Sequence, residues 1–236
     1  MEKLKPTIAN LKKEARKSIE TEPYAEYMIR PISIYFTWLI VRTPISANTV
    51  TVFQILVGVL GALLLAVPNI DGYAPIYGVI LLQFSYVLDC VDGEVARWKK
   101  IESIRGVYLD IICHIIVISM FIFCFSFGIY VTIGSSGIII LGAIASFFSY
   151  KFDEYAFIKV STNRDDKESL YNSSLVKLLA FYRFPALMNY ISIVIFTDYY
   201  IFGEYGFISV VFLCSLCIVL FFGRILQLIK RFNQLS

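Results

Sequence analysis

Histidine is almost absent from this chain: one residue in 236, His114. Charge is sparse as well, at 17% of residues with a net of +3, too small an excess to draw nucleic acid as a partner. No internal repeat and no long low-complexity tract divides the chain, which excludes a solenoid or an array. The first 23 residues are too highly charged for a cleavable signal peptide, so none is expected. The five cysteines, Cys90, Cys113, Cys124, Cys214 and Cys217, all fall in apolar runs. Cys214 and Cys217 form a CxxC, but no second ligand set accompanies them, and all five are expected to pack as small hydrophobes.

What is abundant is apolar. Hydrophobic residues make up 58% of the chain, the mean hydropathy is +0.72, and there are 20 phenylalanines and 16 tyrosines. These values place the chain among helical membrane proteins with interfacial aromatics. The expected fold is an all-α integral membrane bundle of six transmembrane helices, near 47–67, 72–98, 104–128, 131–158, 174–199 and 205–229. Breaks fall at Pro68-Asn69, Asp71-Gly72, Gly134 to Gly137, Thr162 to Asp166 and Gly203. Sorting the 21 lysines and arginines puts none in the three outer loops if the N-terminus is cytoplasmic. Both termini are therefore expected inside.

Residues 1–43 read as a cytoplasmic, interfacial segment and 44–236 as the six-helix catalytic domain. Leu4, Ile8, Leu11, Ala15 and Ile19 alternate at spacings of four and three, an N-terminal amphipathic helix. It either lies on a membrane surface or is a solvated helix with one apolar stripe. Residues 24–42 read as a further interfacial helix, because a seventh span would put the termini on opposite sides.

The run from Asp89 to His114, DCVDGEVARWKKIESIRGVYLDIICH, breaks the apolar pattern with three aspartates and the lone histidine. Asp89 and Asp92 stand at i and i+3 on the second expected span; Gly106, Asp110 and His114 follow at i, i+4 and i+8 on the third. A short connection makes the two helices antiparallel neighbours, so the four polar groups can converge. One isolated charge inside a membrane costs about 2.5–3.5 kcal/mol, and three carboxylates together also repel. Hard divalent cations, two magnesium or manganese ions, turn that repulsion into a clamp for phosphate chemistry. The plainer alternative is a cytoplasmic cap in which the aspartates pair with Arg97, Lys99 and Arg105. An ion relay would spread its acids through the membrane depth; these gather at the cytoplasmic end.

The same residues resemble the signature of the CDP-alcohol phosphotransferase family of integral membrane enzymes. Its pattern is D-x2-D-G-x2-A-R followed, eight residues on, by G-x3-D-x3-D. Asp89, Asp92, Gly93, Ala96, Arg97, Gly106 and Asp110 match, Ser103 is a frequent further member, and Ser46 to Thr51 (SANTVT) resembles the family's PN-x-x-T entry to the first span. Beyond about residue 130 the likeness rests on span count. The resemblance implies attack by a hydroxyl acceptor on the phosphorus next to the alcohol of a CDP-linked donor, such as CDP-diacylglycerol, with release of CMP and formation of a phospholipid. It implies that Asp89, Asp92 and Asp110 hold metal, that Asp89 also touches the nucleotide, and that Gly93 and Ala96 make room for it. Arg97 would brace the site or meet phosphate, and Asn48 and Thr51 would border the nucleotide. It also implies a homodimer, for which Gly142, Ala145, Ser146 and Ser149 offer a small-residue stripe; that stripe could equally face another span of the same subunit.

Where the family carries its fourth aspartate, the base, this chain has His114. The imidazole is itself the base, its ordinary pKa of about 6.5 suiting the task, or a nitrogen ligand to the metal, or the mark of an altered site that binds nucleotide without turning over. Lys151, Lys159 and Arg183 are candidates for an acceptor-phosphate pocket, Arg183 first because it lies within an apolar run, although it could also snorkel to headgroups. Such a pocket would favour inositol phosphate or glycerol phosphate; without it, serine or a lipid hydroxyl is equally open.

Overall fold

A computed structural model describes residues 5–15, 24–68, 72–149 and 186–234, and every regular element among them is helical. The helices are α1 (Ile8–Glu14), α2 (Arg30–Ile40), α3 (Ala47–Leu65), α4 (Ala74–Lys99), α5 (Ile104–Ile133), α6 (Gly137–Ser149), α7 (Ala186–Phe202) and α8 (Phe207–Gln234). A π-helical turn, Ala25–Ile29, leads into α2. It widens just before Pro31, which has no N–H to return to residue 27.

Among the described residues, four helices are long and apolar enough to cross a membrane: α3, α4, α5 and the Phe207–Ile229 part of α8. α6 and α7 are shorter apolar helices. α6 lies within the fourth expected span, whose first residues, 131–133, instead belong to α5, and α7 ends the fifth; residues 150–158 and 174–185 lie outside the described residues. α5 runs five residues past its expected end, to Gly134, whose φ of +81° stops it. Gly128, near that expected end, instead stays helical, with the Leu65 carbonyl and the Tyr205 ring in the place a side chain would need.

The chain divides into two compact units, residues 1–61 with 80–117, and residues 62–79 with 118–236. In the first, Ser46 accepts the Thr49 N–H (3.2 Å) at the start of α3, and Ser103 accepts the Gly106 N–H (3.1 Å) at the start of α5. The two motif serines are thus helix caps. Between α4 and α5 the chain turns through Lys100, at φ +55°, with the Ile101 N–H returned to the Ala96 carbonyl at 3.0 Å. Gly58 lets α3 close on α4 and α5: a Cβ there would lie 2.8 Å from Val117 and 2.9 Å from the Ser85 hydroxyl.

The apolar stripe of α1 has a use that its periodicity did not specify. Leu11 and Ala15 are fully buried with Ile34 of α2, and Ile8, Trp38, Val41 and Trp98 close around them. Protein covers the middle of the stripe, Leu11 and Ala15; Leu4 and Ile19 lie outside the described residues. A second, outward stripe, Met28 of the π-helical turn with Ile32, Tyr35 and Leu39 of α2, is exposed.

In the second unit α6 packs on α8, as does α7. The small-residue stripe of α6 is taken up inside the chain. A side chain at Gly142 would overlap the Ser126 hydroxyl of α5, Ala145 is fully buried, and Ser146 donates to the Ser119 carbonyl at 2.8 Å. Asp198, near the end of α7, caps α8, its Oδ2 accepting the N–H groups of Gly206 (3.0 Å) and Ser209 (2.8 Å). All five cysteines are free thiols, four of them buried, as their apolar settings led us to expect.

Candidate active site

Helical spacing places Asp89 and Asp92 on one side of α4, and Asp110 and His114 on one side of α5. The short turn at residues 100–103 brings these two sides together. His114 Nε2 lies 3.2 Å from Asp89 Oδ1 and 3.2 Å from Asp110 Oδ1. One donor atom from each of the three residues falls within 4.8 Å of the others. The cluster is graded in access: the Asp89 side chain is 19% exposed, His114 30% and Asp110 46%. It is therefore open on the α5 side and closed on the α4 side.

α3 supplies the closed side. Thr51 and Gln54, at i and i+3, face the α4 aspartates. Thr51 Oγ1 donates to Asp92 Oδ2 at 2.6 Å, and Gln54 Nε2 donates to Asp89 Oδ1 at 3.0 Å. Gln54 is in turn fixed by its own backbone, whose carbonyl accepts from Ser85 Oγ at 3.1 Å. Asp92 is 8% exposed and is held by Thr51, one turn along α4 from the three-residue cluster. Thr51 thus reaches the site through Asp92.

The remaining motif residues take up distinct places. Asn48 is exposed beside Gly106, where an added Cβ would meet its Oδ1 at 3.3 Å. Gly93 is roofed by the Arg97 guanidinium, 3.1 Å from where a Cβ would stand. Arg97 Nε donates to the Ala15 carbonyl at the end of α1, so this arginine braces the N-terminal helix against α4. Ala96 is half-buried one residue before it. Lys151, Lys159 and Arg183 lie outside the described residues.

Two polar groups escaped the sequence reading. Gln54 could have been found as the amide inside the apolar run of α3 that follows Thr51, one turn on. Arg224 is 8% exposed within α8, and its guanidinium donates to Gln227 Oε1 (2.8 Å) and to the Phe148 carbonyl (3.1 Å) near the end of α6. Its positive charge satisfies main-chain oxygens at a helix C-terminus.

The donor set suits a divalent cation. Two carboxylate oxygens, which magnesium and manganese take, meet an imidazole nitrogen, which suits softer divalent metals. Gln54 Oε1 next to them is buried without a hydrogen-bond partner. An ion-paired cap would instead turn the aspartates towards Arg97, Lys99 and Arg105; among the described residues no ion pair of Asp89, Asp92 or Asp110 with them is seen, Arg97 Nε donating to Ala15 and Lys99 Nζ to the carbonyls of Thr43 (2.9 Å) and Ile45 (2.7 Å).

Comparison with the curated proteins finds no match. A family model, that of the CDP-alcohol phosphatidyltransferases, matches residues 44–197, from the turn before α3 into α7. That stretch covers well over half of the chain and contains every group of the cluster, and the chain belongs to the CDP-alcohol phosphatidyltransferase family.

Proposed function

We propose that this protein transfers a substituted phosphate from CDP-diacylglycerol to a hydroxyl acceptor and releases CMP, at the cytoplasmic face of a membrane, in phospholipid synthesis. Family membership supplies the reaction class, a phosphotransfer from a CDP-alcohol. The observation that supports a working site is the convergence of Asp89, Asp110 and His114 from two motif helices to within 4.8 Å.

In this reading Asp89, Asp92 and Asp110 would hold a pair of divalent ions, which would supply positive charge opposite the diphosphate. Thr51 and Gln54 keep the α4 carboxylates pointed at the site, which lowers the cost of assembling them. The acceptor oxygen attacks the phosphorus that carries the diacylglycerol, its bond to the CMP oxygen breaks, and CMP leaves with the electron pair. The hydroxyl proton goes to His114 Nε2, which stands at the position of the family's fourth aspartate and is 30% exposed at the open side of the cluster. A second reading makes His114 a nitrogen ligand, and its equal 3.2 Å approach to Asp89 and Asp110 favours it.

The test is CMP release from CDP-diacylglycerol with a panel of acceptors, by the wild type, His114→Asp and His114→Ala. Loss of a general base lowers turnover by about 10²- to 10⁴-fold. The base reading expects that loss for His114→Ala and retained or raised turnover for His114→Asp. Equal turnover in all three removes His114 from the chemistry. No CMP from any variant with any CDP-linked donor would leave a nucleotide- or metal-binding protein of the same fold.

A further inference from the structure

On the opposite side of α4 from the aspartates lies a second polar cluster. At 100° per residue, Glu94 projects about 200° around the helix from Asp92 and about 140° from Asp89. Its side chain is fully buried. Oε1 accepts from Arg30 Nη1 and from Ser33 Oγ, each at 3.0 Å, and Oε2 accepts from Thr37 Oγ1 at 2.6 Å. Arg30 is 5% exposed, and Ser33 and Thr37 are fully buried. The three donors stand at i, i+3 and i+7 along one face of the helix that opens at Arg30, so a straight polar stripe of α2 grips one carboxylate of α4.

Such a group is an odd choice for stability alone, because well-packed apolar residues replace a buried ion pair at little or no cost. What three directed hydrogen bonds add is orientation. Rotation of α4 about its axis stretches all three at once, and the same rotation swings Asp89 and Asp92 away from Gln54, Thr51 and His114. We propose that Glu94, held by Arg30, Ser33 and Thr37, is a positioning residue that sets the rotation of α4 and thereby aims Asp89 and Asp92 into the site. Its bearing on chemistry rests on the reading of that site as the working one; the geometric claim does not.

The test therefore reads geometry without metal, nucleotide or turnover. In the full chain in detergent, with the five native cysteines changed to alanine, Thr51→Cys and Asp92→Cys place two thiols where side chains now meet at 2.6 Å. The rate of their oxidative cross-linking reports how α4 faces α3. Three further changes are compared in that background: Glu94→Gln, Thr37→Val, and the paired Arg30→Met with Glu94→Met. The paired change keeps the melting temperature near the parent's, because it removes both charges together; the hydroxyls of Ser33 and Thr37 can turn back to their own helix. The expected result is cross-linking about fivefold slower with the paired change, the size of effect seen when residues of one network are coupled. Thr37→Val, which removes one donor, falls between. A cross-linking rate equal to the parent's in the paired variant at unchanged melting temperature overturns the proposal. That failure is separable from failure of the proposed reaction, which would leave these rates untouched and appear only in the CMP assay.

Discussion

Asp92 is a carboxylate 8% exposed, held by the Thr51 hydroxyl and by the Gly93 N–H, so Thr51→Val removes one of the two partners of a buried acceptor. Outer residues that orient metal ligands typically contribute about 10- to 100-fold to metal affinity. Thr51→Val and Gln54→Leu should each weaken Mn2+ binding by that factor in the purified protein, read from the loss of free Mn2+ signal on titration. Binding as tight as in the wild type would mean that α3 only lies next to the carboxylates and does not orient them. The acidic half of the site was legible in the chain because its spacing is local: i, i+3 on one helix and i, i+4 on the next fix the faces. Gln54 and Glu94 were not, because their partners lie 35 and 64 residues away. The apolar run around Gln54 marks its amide as buried but not what it faces, and nothing in a linear pattern marks Glu94 as aimed rather than solvated.

Among the helices, α6 carries the most direct consequence of close packing. Gly142 has no room for a side chain against Ser126, so Gly142→Leu overpacks a tight crossing, a change that costs about 1–3 kcal/mol. The melting temperature in detergent should fall, and the size-exclusion mass should stay that of the wild type, because the stripe is used within one chain. A change in mass at unchanged stability would return the stripe to a role between copies. The small-residue pattern itself was visible in the sequence; which neighbour it faced was not, since G-x2-A-S spacing is equally good for a partner helix or a neighbouring one. The start of α5 was likewise readable from Ser103. Its end was not, because Gly128 and Gly134 look alike as letters and differ in what surrounds them. One stands under a carbonyl and a tyrosine ring, the other at φ +81°.

Across the entire protein, positive charge sorted to one side predicts that both termini share a compartment. Reporter fusions at the first and last residues should both give the cytoplasmic signal, and opposite signals would require an odd number of crossings. Composition alone was enough to read helices in a bilayer, but not how the N-terminal forty residues are used. Their amphipathic period fits a lipid surface as well as a protein one, and Leu11 and Ala15 turn out to lie beneath Trp38 and Trp98. The family match begins at residue 44, downstream of Arg30, Ser33 and Thr37. A version trimmed to that point would strip the glutamate next to Gly93 of all three of its donors and take the Ala15 carbonyl from Arg97. A charge so stranded in an interior costs about 3–5 kcal/mol. The smallest piece able to fold around this chemistry therefore starts upstream of α1, well before the recognisable part of the sequence begins.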